Sequence, residues 1–178
     1  LNMGDRHQFR AKWHYYNNGI YFVTVCVKDM KQSLGRIIDG EMTLYNVGRH
    51  LEYWIEKLKT GSDIEVIDSV IMPNHFHLLV GTRLNISDSA NAETNRGCLQ
   101  KSAHGDECTD FHHNSRLAVF VNNLKGGVTR FAKKQGIPFQ WQERYYDNII
   151  TTAHAFDNVL NYIMYNVENW DKDRFYKE

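Results

Sequence analysis

No part of the chain stays apolar for long. The longest such run, residues 20–27, has eight residues and is broken by Thr24. That is too short for a transmembrane helix or for the apolar stretch of a secretory leader. Cysteine is scarce, with three residues at positions 26, 98 and 108. An odd number so widely spaced makes no disulfide framework, and a reducing cytoplasm is the expected location. Charge of one sign is also missing, since 21 Lys+Arg balance 21 Asp+Glu. Bulk charge therefore excludes a strongly basic nucleic-acid protein but not a locally basic face. There is no phosphate-cradling glycine loop, no dinucleotide fingerprint and no Ser-His-Asp signature. The sequence begins at Leu1 rather than at an initiating Met, which points to a trimmed chain or a remnant residue.

With 178 residues, 42% apolar and 24% charged, the chain suits one globular domain and not a disordered, collagenous or coiled-coil protein. Its charges are unevenly placed. Arg6, Arg10 and Lys12 sit in a stretch without acids, as do Arg116, Lys125, Arg130, Lys133 and Lys134. Between them, residues 84–114 carry five acids and two bases, so the remainder of the chain stands at +3. This middle stretch is rich in Ser, Asn and Gly and shows no hydrophobic period, as expected of a long insert loop.

Periodicity predicts the elements. Residues 20–28 are β-branched and aromatic and read as a buried strand. Residues 34–42 contain Asp39-Gly40, a hairpin-type turn. Leu44, Val47, Leu51, Ile55 and Leu58 mark one face of a helix ending at Gly61. Strands at 64–72 and 75–81 flank a Pro73-Asn74 turn. Leu117, Phe120, Val121, Leu124, Val128 and Phe131 mark a second helix ending at Gly136. Its Gly126 and Gly127 should each cost about 1 kcal/mol relative to Ala. Residues 139–151 read as extended, and a final helix spans about 152–167 with Phe156, Leu160, Ile163 and Val167 as its stripe. The order gives an α+β, ferredoxin-like (RRM-like) fold: a four-stranded antiparallel sheet with helices on one face, plus a C-terminal helix.

Two constellations could carry chemistry. His75 and His77 alternate with Phe76 on a strand, which puts both imidazoles on one face with Cα atoms roughly 6.6–7 Å apart. That suits two ligands of one divalent metal. Nine His in 178 residues also make such a pair common by chance, so two half-buried strand histidines explain it equally well. Tyr162 and Asn166, four apart on the last helix, share a side. Tyr162 lies about 130° from the centre of the apolar stripe, so it is either a functional or a rim tyrosine. Cys98, His104, Cys108, His112 and His113 are too loosely spaced for a zinc finger, and a solvated loop is the favoured reading. Trp141, Tyr145 and Tyr146 could stack bases, although packing onto the sheet is the better explanation.

Several blocks in this order resemble a known family. They are Met72-Pro73-Asn74-His75-Phe76-His77-Leu78, Leu124-Lys125-Gly126-Gly127, Trp141-Gln142-Glu143-Arg144-Tyr145-Tyr146-Asp147-Asn148 and Tyr162-Ile163-Met164-Tyr165-Asn166. The arrangement resembles the single-tyrosine HUH transposases, most closely the REP-associated tyrosine transposases, over about residues 6–83 and 115–175. The resemblance implies an enzyme that cuts and rejoins single-stranded DNA through a 5′-phosphotyrosine, with hairpin-bearing DNA as partner. It implies His75, His77 and Asn166 as ligands of Mg2+ or Mn2+ and Tyr162 as the nucleophile. Arg6, Arg10, Lys12, Lys125, Arg130, Lys133 and Lys134 are the candidate phosphate contacts. Family members include monomers and dimers that exchange their tyrosine helices. The chain departs from the pattern at Val167, where Pro is common, and at Asn148, where His is common. A non-catalytic RRM-like module and a His-x-His phosphodiesterase without a covalent step are the competing readings.

The insert reading has a direct test. Deleting residues 84–114 should leave a soluble, cooperatively folding protein, because a surface loop changes length at small entropic cost. Loss of soluble expression, or stoichiometric zinc bound to the insert, would overturn it.

Overall fold

The computed structural model describes residues 19–59, 64–82 and 116–176. Arg6, Arg10, Lys12 and the insert lie outside the described residues. The elements are β1 (Gly19–Cys26), β2 (Gly35–Ile38), β3 (Glu41–Leu44), α1 (Asn46–Lys59), β4 (Ile64–Ile71), β5 (His75–Thr82), α2 (Arg116–Lys134), β6 (Tyr146–Ile150) and α3 (Ala153–Tyr165). Four strands form one sheet in the order β4-β5-β1-β6, with every neighbouring pair antiparallel. This is the predicted ferredoxin-like sheet. The β2–β3 hairpin stands apart as a two-stranded sheet. Its Asp39-Gly40 turn holds φ at 52° and 80°, the positive pair that a two-residue hairpin turn needs.

Alternation along β1 and β5 gives the sheet two unlike faces. Tyr21, Val23 and Val25 on β1, with Phe76, Leu78 and Val80 on β5, are buried toward α1 and α2. They meet Val47, Leu51 and Ile55 of α1 and Leu117, Val121, Leu124 and Val128 of α2. Burying each such side chain contributes on the order of 1.5–3 kcal/mol. The register pairs Val25 with Phe76, so Thr24 must lie beside His77 and Cys26 beside His75 on the other face. The core-forming residues therefore fix where the histidines point. A bulge between Val66 and Asp68 shifts β4 by one residue. Ile71 then packs against the core cluster, opposite Phe76 in the ladder.

The stretch 139–151 departs from its predicted continuous strand. The ladder covers only Tyr146–Ile150, and Trp141 makes an isolated bridge to Val27. There Gln142 N still donates to Cys26 O at 2.8 Å, while the Lys125 ammonium occupies the carbonyls of Gln142 (2.8 Å) and Glu143 (3.1 Å), which are thus satisfied outside a strand ladder. Trp141 donates in turn to the Lys125 carbonyl at 3.1 Å and packs edge-on against Phe76 and Phe139. Tyr145 is in the core and Tyr146 is exposed, as neighbours with opposite directions require.

The two glycines of α2 differ. A Cβ on Gly127 would lie 2.8 Å from the Trp54 ring, whereas one on Gly126 would meet only the mobile end of Arg130 at 3.2 Å. Gly126→Ala should therefore stabilise the protein by up to about 1 kcal/mol through helix propensity. Gly127→Ala should destabilise it by roughly 1–3 kcal/mol through overpacking. Urea denaturation of the two variants tests this, and shifts of the same sign would contradict the packing.

Candidate active site

The face opposite the core carries the candidate site. His75 and His77 are both buried, with their Nε2 atoms 2.9 Å apart. Their outer nitrogens are held separately. The Asn74 amide donates to the carbonyls of Met30 (3.3 Å) and Phe175 (2.8 Å), which turns its Oδ1 toward His75 Nδ1 at 2.8 Å. A carboxamide oxygen only accepts, so His75 carries its proton on Nδ1 and presents a bare Nε2. His77 Nδ1 lies 2.8 Å from the Thr24 hydroxyl, which can donate or accept. Thr24 therefore serves either tautomer of His77: one that bridges the two Nε2 atoms with a proton, or one that turns both lone pairs inward.

α3 crosses this face against β4 and β5. Thr152 caps it, its hydroxyl accepting from Ala155 N at 3.1 Å. Tyr162, 39% exposed, sets its hydroxyl 3.3 Å from His77 Nε2 and donates to Asp173 Oδ2 at 2.8 Å. Its ring packs edge-on against Phe22, which is itself stacked on His77. Asn166, one turn beyond Tyr162, is buried; its amide donates to Asp173 Oδ2 at 3.3 Å and its Oδ1 has no partner. The chain then forms a 3-10 turn at Trp170–Lys172 and folds back. Phe175 lies 4.7 Å from the His75 ring and 6.2 Å from that of His77, centroid to centroid.

These contacts set the protonation states. Burial lowers His75 to about 4, opposed by the Asp173 carboxylate and aided by Arg174. Burial, then the neighbouring His75 and Arg174, lowers His77 well below its ordinary value. Both imidazoles are thus neutral and able to ligate. Burial and the hydrogen bond to Asp173 push the Tyr162 phenol up to about 12. Burial likewise pushes the Cys26 thiol up to about 12, so this thiol is no nucleophile.

The donor set suits a divalent ion. His75, His77 and Asp173 bring one ligand atom each within 4.8 Å of one another. Two ligands about 2.1 Å from one ion at right angles would be about 3 Å apart, close to the Nε2 separation. Asn166 Oδ1, buried and without a hydrogen-bond partner, is a further candidate donor on this face. His75, His77, Tyr162 and Asn166 come together as the sequence predicts. Asp173 was not among the predicted residues. It lies beyond the helix, in no periodic pattern and at no diagnostic spacing, and only the aromatics around it (Trp170, Phe175 and Tyr176) hint that this tail packs.

Among the described residues, the predicted cations do not join the His75–His77 group. Lys125 is engaged with backbone carbonyls, which makes it a strut of the fold. Arg130, Lys133 and Lys134 are exposed on α2, across the sheet from the histidines. Asn148 pairs with Phe22 on β1, and half-buried Val167 follows Asn166.

No protein-family model matches the chain. In fold the chain is similar to a REP-associated tyrosine transposase solved bound to a REP hairpin, which superposes with a TM-score of 0.53 over 91% of this chain and 74% of that one, at 19% identity. The chain thus has the fold of a REP-associated tyrosine transposase. In sequence it is 27% identical over 180 residues to an uncharacterized protein of Haemophilus influenzae, covering 98% of this chain and 96% of that protein. Among the described residues no helix is long and apolar enough to cross a membrane.

The buried neutral imidazoles predict a pH dependence. Their folded values lie below the ordinary 6.5, so below that pH the unfolded chain takes up protons that the folded chain refuses. Their contribution is complete above about 6.5 and is lost as pH falls toward 4, at roughly 1 kcal/mol per pH unit for each group. Urea denaturation in EDTA should show wild type weakening between pH 7 and 5 more than His75→Gln/His77→Gln. Parallel losses would refute the burial argument.

Proposed function

We propose that the chain is a transposase-type enzyme that cleaves and rejoins single-stranded DNA through a covalent bond to Tyr162. The observation that carries this reading is the meeting of Tyr162 Oη and His77 Nε2 at 3.3 Å, where the two imidazoles converge. A non-covalent phosphodiesterase has no use for that tyrosine. A base-stacking RRM-like module needs open aromatics on this face, and Phe22 is instead stacked on His77. The transposase fold supports the same reading, and a hairpin-bearing strand is the substrate class it favours.

The step follows from the contacts. Tyr162 Oη attacks the scissile phosphorus, an O–P bond forms to the tyrosine, and the bond to the 3′-oxygen breaks. Asp173 Oδ2, already the acceptor of the phenol hydrogen bond at 2.8 Å, takes the proton. The departing 3′-oxygen takes a proton from solvent water, which reaches the part-exposed Tyr162, and leaves as a hydroxyl. His75, His77 and the Asn166 oxygen, with Asp173 beside them, would hold Mg2+ or Mn2+. When bound, the ion supplies charge neutralisation at the phosphate and favours ionisation of the phenol. Thr24 and Asn74 keep the imidazoles aimed, and Phe22 limits rotation of the tyrosine ring. Because the phosphotyrosine keeps the phosphodiester bond energy, rejoining needs no nucleotide, which agrees with the missing nucleotide-binding motifs.

Labelled hairpin oligonucleotides incubated with Mn2+ and run on a denaturing gel should give a protein–DNA adduct. Tyr162→Phe should abolish it while DNA affinity stays within a few-fold, and His77→Ala should lower its yield by at least about tenfold. An adduct from Tyr162→Phe, or one formed equally well in EDTA, would overturn the assignment.

A further inference from the structure

At the end of β1 nearest the histidines the backbone enters an unusual conformation. Asp29 and Met30 are consecutive and both left-handed, with φ of 58° and 56°. Neither is glycine, and each such residue costs on the order of 1 kcal/mol. The neighbours hold the loop in place: Val27 N donates to Asn74 O (2.8 Å), Lys28 N to Gln140 O (2.9 Å) and the Asn74 amide to Met30 O (3.3 Å). Conformations of this kind persist where the surroundings over-determine them, and they cluster at binding sites.

The loop forms one wall of a cleft of about 560 Å3, with the end of α2 and residues 137–140 as the other walls. That volume is typical of a ligand site. Lys28, Lys31 and Lys133 line it against a single acid, Asp29. Among the described residues none of the three lysines has an ion-pair partner, and Lys28 reaches only the neutral Gln140 Oε1, at 3.0 Å. Phe139 and Pro138 supply a flat apolar surface. The Phe139 ring is braced edge-on by Trp141, with centroids 4.7 Å apart. Unpaired ammonium groups around a fixed ring suit an alternation of phosphate and base, because phosphates take charge and a base takes a flat apolar contact.

We propose that this cleft is a single-stranded DNA subsite, holding a phosphate–base segment of the strand away from the reacting phosphate. The inference rests on the proposed function, because the strand it would hold is that enzyme's substrate. The cleft is joined to the active site through one residue. Asn74 bonds the cleft loop at Met30 O and His75 at Nδ1. A strand in the cleft thus bears on the same carboxamide that aims a metal-binding imidazole. Lys133, in the last turn of α2, lines this cleft although it lies across the sheet from the histidines.

The test is fluorescence anisotropy with the full chain and labelled oligothymidylate in EDTA, over a series of salt concentrations. Lys31 and Lys133 are exposed, so Lys31→Ala/Lys133→Ala should fold normally, as a thermal melt will verify. Losing two phosphate contacts should weaken binding by about tenfold and flatten the log–log salt slope by about 1.4. The control Lys57→Ala/Lys59→Ala on α1, away from the cleft, should bind like wild type. Wild-type affinity and slope in the cleft variant, an equal loss in the control, or no oligothymidylate binding by wild type would each overturn the subsite. Wild-type binding that depends on the cleft lysines, without any adduct in Mn2+, would uphold the subsite and sink the covalent reading instead.

Discussion

One buried carboxamide organises the functional half of this molecule. Asn74 follows the proline that turns β4 into β5, and its side chain is committed at both ends. The amide holds the loop after β1 at Met30 and the tail at Phe175, and the oxygen holds His75 Nδ1. Three segments far apart in sequence are thereby fixed to one imidazole. Each hydrogen bond contributes only about 1 kcal/mol to folding. Their larger effect is on direction: with the proton pinned on Nδ1, the lone pair of Nε2 has to face His77. A serine or glycine at this position could complete the turn but could not hold both carbonyls and the ring.

The sheet solves a second problem, that of keeping two imidazoles neutral and dry without placing them in the core. Period-two alternation separates Phe76 and Leu78 from His75 and His77 on the same strand. The apolar face provides the stability, and the polar face is closed by α3 and the tail. Burial of an unpaired imidazole is unfavourable, and here every outer nitrogen has a partner in Thr24 or Asn74. What remains on the inner side is the close pair of Nε2 atoms, the Asp173 carboxylate and the Asn166 oxygen, which has no partner. The folding energy of the other face sustains this concentration of potential metal ligands.

Much of this was legible in the sequence, for identifiable reasons. Strands and helices followed from period because each element has one apolar side, and the shared face of His75 and His77 needed only alternation. The pairing of Tyr162 with Asn166 needed only helical spacing. The irregular stretch 142–145 was not legible, because the carbonyls of Gln142 and Glu143 find their partner in the Lys125 ammonium, a tertiary contact that no local pattern announces. The same contact takes Lys125 away from the phosphate role that its acid-free neighbourhood suggested. Asp173 was hidden because its position depends on how the tail folds back, which no local spacing encodes. Of the two α2 glycines, equal in propensity, only Gly127 is tied to a close approach, that of the Trp54 ring.

The attachment of α3 bears on the proposed role of Tyr162 as a nucleophile. Within the helix only Ile163 is fully buried, with Phe156, Val159 and Leu160 half-buried beside it. Beyond these apolar contacts, Tyr162 and Asn166 both reach Asp173. In the proposed step the carboxylate that would take the phenol proton is therefore also one that holds the end of the helix. Burial first and the hydrogen bond to Asp173 second raise the phenol, and that same hydrogen bond offers its proton a path off the oxygen. On that reading, position and reactivity of Tyr162 both depend on one carboxylate, and a change at Asp173 would alter the two together.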